Sequence, residues 1–306
     1  MPHMTGNDGM SASIVCGIDG SGQARGALTV AAALGVRLGL RLVIAHAVPV
    51  PPPSPDLAPL TRIPPDLEAL DLTGAERGRR LLDQAAAAFP ESVTRLEQGG
   101  AAGCLVGVAR EAHAGLLVVG TRGEGAVKAA LLGSVSLDVA RDAPCPVVVA
   151  PPAATGPPLA GDRVLCGVDT EHDRRAVETA TWLARALDLP LTLAHVVPDA
   201  PGRGTRSRAP ADAAHAGRTA APSRARAAHG HARTQRPVGV LGASVVVAEG
   251  DPARELARLA AADAALVVVG CRGLGPLRAG LLGSVSRRLV REAVAPVVLC
   301  RHEDAA

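Results

Sequence analysis

The chain has 306 residues, 48% of them apolar, which favours about two domains and is ample for two buried cores. With one Phe, one Trp and no Tyr, those cores must be packed with Val, Leu and Ala, and the aromatic platforms on which nucleic-acid bases stack are excluded, so no nucleic-acid partner is expected. Formal net charge is only +3, and the six cysteines (Cys16, Cys104, Cys145, Cys166, Cys271, Cys300) form no C-x-x-C pair and have no His at metal-ligand spacing, so the thiols read as reduced, mostly buried small hydrophobes and no metal centre is expected.

Residues 1–11 read as a flexible tail, with neither Lys nor Arg where a secretory leader would carry them. Short β-branched and aliphatic runs then alternate with longer Ala/Leu/Arg segments of helical period, the signature of βαβ units and a parallel sheet. Strands are expected near 13–18, 41–47, 92–97, 115–119 and 146–150, and helices near 24–38, 74–88, 101–113 and 134–142. The most apolar stretch, 27–50, is broken by Arg37 and Arg41 and does not reach a membrane span, so a soluble, cytoplasmic protein without a membrane partner is expected. Residues 49–65 carry eight prolines and read as an extended loop after the second strand.

A Pro-rich linker, 152–161, follows a first domain at 12–151 and precedes a second at 162–302. Second-half strands are expected near 163–168, 190–196, 243–248, 265–269 and 296–300. Between them, about 201–237, lies an Arg/Ala-rich insert with eight Arg against the single acid Asp212. It reads as a solvated basic segment, and Pro210 and Pro222 argue against a complete helix there.

The two halves are copies. "VVGTRGEGAVKAALLGSVS" (118–136) and "VVGCRGLGPLRAGLLGSVS" (268–286) share thirteen of nineteen residues, "IVCGIDG" (14–20) matches "VLCGVDT" (164–170), and "LVIAHAVP" (42–49) matches "LTLAHVVP" (191–198). Each long segment holds a Gly-x-x-Gly-x9-Gly-Ser pattern, Gly120, Gly123, Gly133 and Ser134 in one half and Gly270, Gly273, Gly283 and Ser284 in the other.

That pattern leaves the carboxyl end of the fourth strand and enters a helix, where open α/β sheets bind ligands. Glycines let the backbone turn its N–H groups inward, and the helix start adds unpaired N–H groups and a positive dipole end, together an anion cradle. No G-K-[ST] follows, so it is not a Walker loop, and its glycines are not in the first βα turn, so it is not the dinucleotide fingerprint. Arg122 with Arg272, and Lys128 with Arg278, stand at matched places and serve either phosphate or solubility. Ser134 and Ser284 read as helix N-caps, a role compatible with a phosphate contact. Asp19 and Asp169 end the first strands, where an acid either accepts hydrogen bonds from a ligand or caps the next helix. His46 and His195 read as satisfied core histidines, and no Ser/His/Asp or Cys/His constellation marks a catalytic residue.

These residues resemble the universal stress protein family, specifically its tandem-domain, ATP-binding branch. The resemblance rests on the Asp-ended first strand, the "AHAV" end of the second and the glycine pattern after the fourth, all repeated. It implies an α/β fold of two tandem Rossmann-like domains, each a five-stranded parallel sheet flanked by helices. By similarity, Asp19 and Ala47 face adenine, while Gly120, Arg122, Gly123, Gly133, Ser134, Val135 and Ser136 hold ribose and phosphates. The second-half counterparts are Asp169 and Val196, then Gly270, Arg272, Gly273, Gly283, Ser284, Val285 and Ser286. Ala47 is smaller than the usual Val, which implies looser adenine packing. Cys271 replaces Thr121, either an oxidation-sensitive thiol or a tolerated small residue.

The implied function is a stress-response regulator that binds ATP, with or without Mg²⁺, and presents an altered surface to a regulatory protein partner. A slow ATPase or phosphotransferase and a nucleotide-free dimerising scaffold are the alternatives. The family dimerises through its last strand, so "PVVVA" (146–150) and "PVVLC" (296–300) are expected to pair the halves with each other, to build a homodimer, or both.

Overall fold

The computed structural model describes residues 13–50, 65–121, 133–152, 157–169, 173–198, 233–235, 242–271 and 282–301. In the first half β1 (Ser13–Gly17), α1 (Gly22–Leu38), β2 (Arg41–Val48), α2 (Pro65–Ala88), β3 (Val93–Gln98), α3 (Ala101–Glu111), β4 (Ala114–Gly120), α4 (Ser134–Asp142) and β5 (Val147–Ala150) alternate as expected. The second half contains β6 (Arg163–Gly167), α5 (Arg174–Ala186), β7 (Leu191–Val197), β8 (Arg233–Gln235), β9 (Ser244–Glu249), α6 (Pro252–Asp263), β10 (Ala264–Cys271), α7 (Ser284–Glu292) and β11 (Val297–Arg301).

The five principal strands of each half are parallel to one another, but they do not form two separate sheets. One sheet of eleven strands runs β3-β2-β1-β4-β5-β11-β10-β6-β7-β9-β8. The seam is the antiparallel pair of β5 and β11, with Val147, Val148 and Val149 opposite Leu299, Val298 and Val297. The two apolar last strands therefore satisfy each other within the chain. Because the seam is antiparallel, the carboxyl edges of the two halves lie on opposite sides of the sheet. The three-residue β8, antiparallel to β9, is an addition that the Arg-rich composition of 201–237 concealed.

The strands read as continuous apolar runs because helices cover both faces of the sheet. Alternation along β5 and β11 sends Val147, Val149, Val297 and Leu299 into one core with α3, α4, α6 and α7, and Val148, Val298 and Cys300 into the other with α1, α2 and α5. Each core thus crosses the seam. Two arginines also bridge the halves, Arg37 donating to the Leu187 carbonyl at the end of α5 (2.7 Å) and Arg301 to the Ala143 carbonyl at the end of α4 (3.4 Å).

Helix α2 starts at Pro65, nine residues ahead of the expected start at 74. Proline is favoured in a helix's first turn, where its missing N–H has no intrahelical acceptor to lose. The linker closes onto the second half. Asp162 donates its N–H to the Asp263 carbonyl (2.9 Å), and a Cβ on Gly161 would overlap the Ala264 carbonyl carbon, so this position has room only for glycine.

Candidate functional site

At the carboxyl edge of the first half, the turn after β1 is held by its own side chains. Asp19 Oδ1 accepts from the Ser21 N–H (3.0 Å), and Ser21 Oγ accepts from the Ala24 N–H (3.1 Å) as the N-cap of α1. Gly20, at φ 91°, makes the turn possible. Beside it, His46 Nδ1 bonds the Ile18 carbonyl (2.8 Å), and His195 Nδ1 bonds the Val168 carbonyl (2.9 Å) in the second half. The two histidines brace the ends of the first strands.

The glycine loop leaves and returns at one point. Gly133 donates its N–H to the Thr121 carbonyl (2.9 Å), and Ser136 Oγ donates to the Gly120 carbonyl (2.7 Å), tying α4 to the end of β4. Ser286 Oγ repeats the second bond to Gly270 (2.9 Å). Both serines are buried, whereas Ser134 and Ser284 are exposed. The expectation that Ser134 and Ser284 are N-caps is corrected: the caps are Gly133 and Gly283, neither with a side-chain cap bond, and the serines are the first helical residues. Leu137 and Arg287 supply the first N–H bonded to the cap carbonyls. The N–H groups of Ser134, Val135 and Ser136, and of Ser284, Val285 and Ser286, precede the first intrahelical acceptor and point out of the helix start. This arrangement attracts an anion.

In the second half the corresponding groups converge on one cavity of about 240 Å³. Asp169, Val196, Gly270, Gly283, Ser284, Val285 and Ser286 all line it. Polar donors come from the helix start and the carboxylates from the turn after β6, while Leu256, Val269 and Val196 form the apolar wall.

The universal stress protein family profile matches residues 10–151 and again 161–301. The chain belongs to the universal stress protein family. A universal stress protein of Mycobacterium tuberculosis H37Rv is 30% identical over 311 residues, covering 95% of this chain and 97% of that protein. One from Thermus aquaticus is 35% identical over 142 residues, 46% of this chain and 98% of its own length. Among solved structures, a universal stress protein from Archaeoglobus fulgidus superposes with a TM-score of 0.61 at 18% identity, over 96% of this chain and 97% of that one, a likeness of fold.

In this universal stress protein the first-half residues lie at the same edge of their own half: Asp19 in the turn after β1, Ala47 on β2, Gly120 at the end of β4, Gly133 capping α4, and Ser134, Val135 and Ser136 in its first turn. Arg122, Gly123, Lys128, Arg272, Gly273 and Arg278 lie outside the described residues. Sequence reasoning missed Asp173, whose Oδ2 accepts from the Asp169 N–H (2.7 Å) and which lines the cavity. The turn before α5 differs in length from the turn before α1, so no motif marks the residue. Cys271 is partly buried, and burial pushes its thiol well above the ordinary range. That favours the tolerated small residue over the oxidation-sensitive thiol, because the thiolate is the reactive form. Among the described residues no helix is long and apolar enough to cross a membrane.

Proposed function

We propose that this protein is an ATP-binding regulator of the cellular stress response, acting in the cytoplasm, with one nucleotide held in each half. The observation that carries the reading is the second-half cavity, where seven residues picked out by the repeat meet at the carboxyl edge of a parallel sheet, beside a helix start with no side-chain cap. Asp169 and Val196 take the base side. Gly270, Gly283, Ser284, Val285 and Ser286 take ribose and phosphates, with Arg272 and Gly273 completing the loop.

The first half repeats the arrangement with Asp19, Ala47, Gly120, Gly133, Ser134, Val135 and Ser136, completed by Arg122 and Gly123. A Cβ on Gly120 would come within 3.2 Å of the Gln23 carbonyl group, so this glycine lets β4 end close against the start of α1. Mg²⁺, where bound, neutralises phosphate charge. The groups at each helix start are N–H donors and hydroxyls, which favours holding a nucleotide over hydrolysing it. ATP regulates by differential affinity for two surface states, one of which a protein partner prefers. Since β5 and β11 close the seam within the chain, a homodimer uses another face.

Denaturing extraction of the purified protein, followed by chromatography of the released nucleotide, tests this reading together with thermal scans with and without ATP and Mg²⁺. Nucleotide near two per chain and a melting shift are expected; ligand at 100 times Kd adds about 2.7 kcal/mol to a binding domain. No nucleotide and no shift would overturn it and leave the glycine loops as inherited architecture on a scaffold.

A further inference from the structure

The outer strands of the two halves are finished differently. β3 and β9 hold the same place, since Gly99 donates its N–H to the Val48 carbonyl (2.9 Å) and Gly250 to the Val197 carbonyl (3.0 Å). That match sets Thr94 and Leu96 on β3 against Val245 and Val247 on β9. β9 gives its outer side to β8, antiparallel, with Arg233 opposite Val247 and Gln235 opposite Val245. Among the described residues β3 pairs with β2 alone, and Val93, where it begins, is 38% exposed.

The bond from Gly99 also fixes which groups of β3 are offered outward. Successive residues of a strand turn their N–H and C=O groups to opposite sides, so Arg95 and Glu97 bond toward β2 while Thr94, Leu96 and Gln98 present theirs to the outer side. The side chains of Arg95 and Glu97 share one face of the sheet. Leu96 lies on the other, where a Cβ on Gly78 of α2 would come within 2.7 Å of its Cδ1. Neither Arg95 nor Glu97 has an ion pair among the described residues.

These patterns select one way for the strand to pair with its own copy. A twofold antiparallel pair sets outward groups against outward groups, so its axis passes through a residue. Centred on Arg95 or on Glu97, like charges meet across the axis, which is destabilising. Centred nearer either end, part of the strand runs past its partner. Centred on Leu96, Arg95 lies opposite Glu97 of the second copy and Glu97 opposite its Arg95, in the pairs whose side chains stand closest. Charges on an edge strand commonly repel a partner, but opposite signs placed symmetrically about Leu96 attract this one.

We propose that β3 is a homodimerisation edge, where two copies of this chain pair antiparallel about Leu96 through about six backbone hydrogen bonds and reciprocal Arg95–Glu97 ion pairs. The contact is isologous and closes on itself. It stands whether or not either cradle holds a nucleotide.

Sedimentation equilibrium of the full chain over a range of concentrations, without added nucleotide, tests the proposal. A monomer–dimer equilibrium is expected. Arg95→Glu and Glu97→Arg each place like charges opposite one another and are expected to weaken the dimer about tenfold or more. A mixture of the two variant chains sets opposite charges across the contact again and is expected to dimerise within about threefold of the unaltered protein. The chain carrying both substitutions is self-complementary and is expected to do the same, so the reading stays testable if one single variant fails to fold. A monomer at every concentration, a dimer indifferent to either single change, or a mixture and a double variant that stay monomeric would overturn the inference and leave the nucleotide reading untouched.

Discussion

Cys145 and Cys300 are thiols that burial holds protonated, Cys145 pushed up to about 12 and Cys300 to about 11. Cys16, Cys166 and Cys271 are raised further by the same cause. Below about pH 9 folded and unfolded chains hold these protons alike. Above it the unfolded chain releases them and the folded chain does not, so the stability present below that pH is lost as pH rises toward the folded values. With no Tyr and a single Lys, few other side chains titrate in that window. Urea midpoints measured from pH 8 to 11 are expected to fall steadily above pH 9, and Cys300→Ala to flatten part of the slope; a level profile would mean these thiols are accessible to solvent. At this scale, Asp169, Val196 and the second-half glycines could be read in the sequence because the repeat marks them twice. Asp173 could not, since its place in the cavity wall depends on a helix register that only packing reveals.

Helices α4 and α7 show how an element can be legible in extent and misread in detail. Their spans agree with the expected 134–142 and its copy, yet the capping residue is glycine and the serine follows it. Ser/Thr preference at N-caps is a statistical rule about satisfying the helix's first donors. Here no side chain caps those donors, and a ligand anion is what they suit. Ser134→Asp separates the two roles. A carboxylate on the first helical residue interacts favourably with the dipole, worth about 0.3–1 kcal/mol, so the nucleotide-free protein is expected to melt slightly higher. The same charge competes with phosphate, so ATP affinity of the first half is expected to drop about tenfold with the second half unchanged. A gain in melting temperature with undiminished ATP binding would make the helix start a structural terminus only. Helix α2 was underestimated at its N-terminal side because a run of eight prolines signals extended chain, while its last member serves as the helix opener.

Across the whole molecule, duplication alone was compatible with two independent domains, two domains paired with each other, or two pairing with a second chain. The β5 and β11 seam selects the second arrangement, and its consequence is cooperative. Neither core belongs to one half: Val147 and Leu299 share one, Val148 and Val298 the other, and Arg37 and Arg301 bond helix ends across the boundary. Unfolding one half would strip the seam strand of its partner and expose an apolar edge on the other. Trp182, the single tryptophan, is packed against the core under α5 and reports only the second half, whereas far-UV circular dichroism reports both. Thermal or urea transitions followed by the two probes are therefore expected to coincide, and nucleotide binding to move them together. Separated midpoints, with tryptophan fluorescence changing while half the ellipticity persists, would show that the seam joins the sheets without joining their stability.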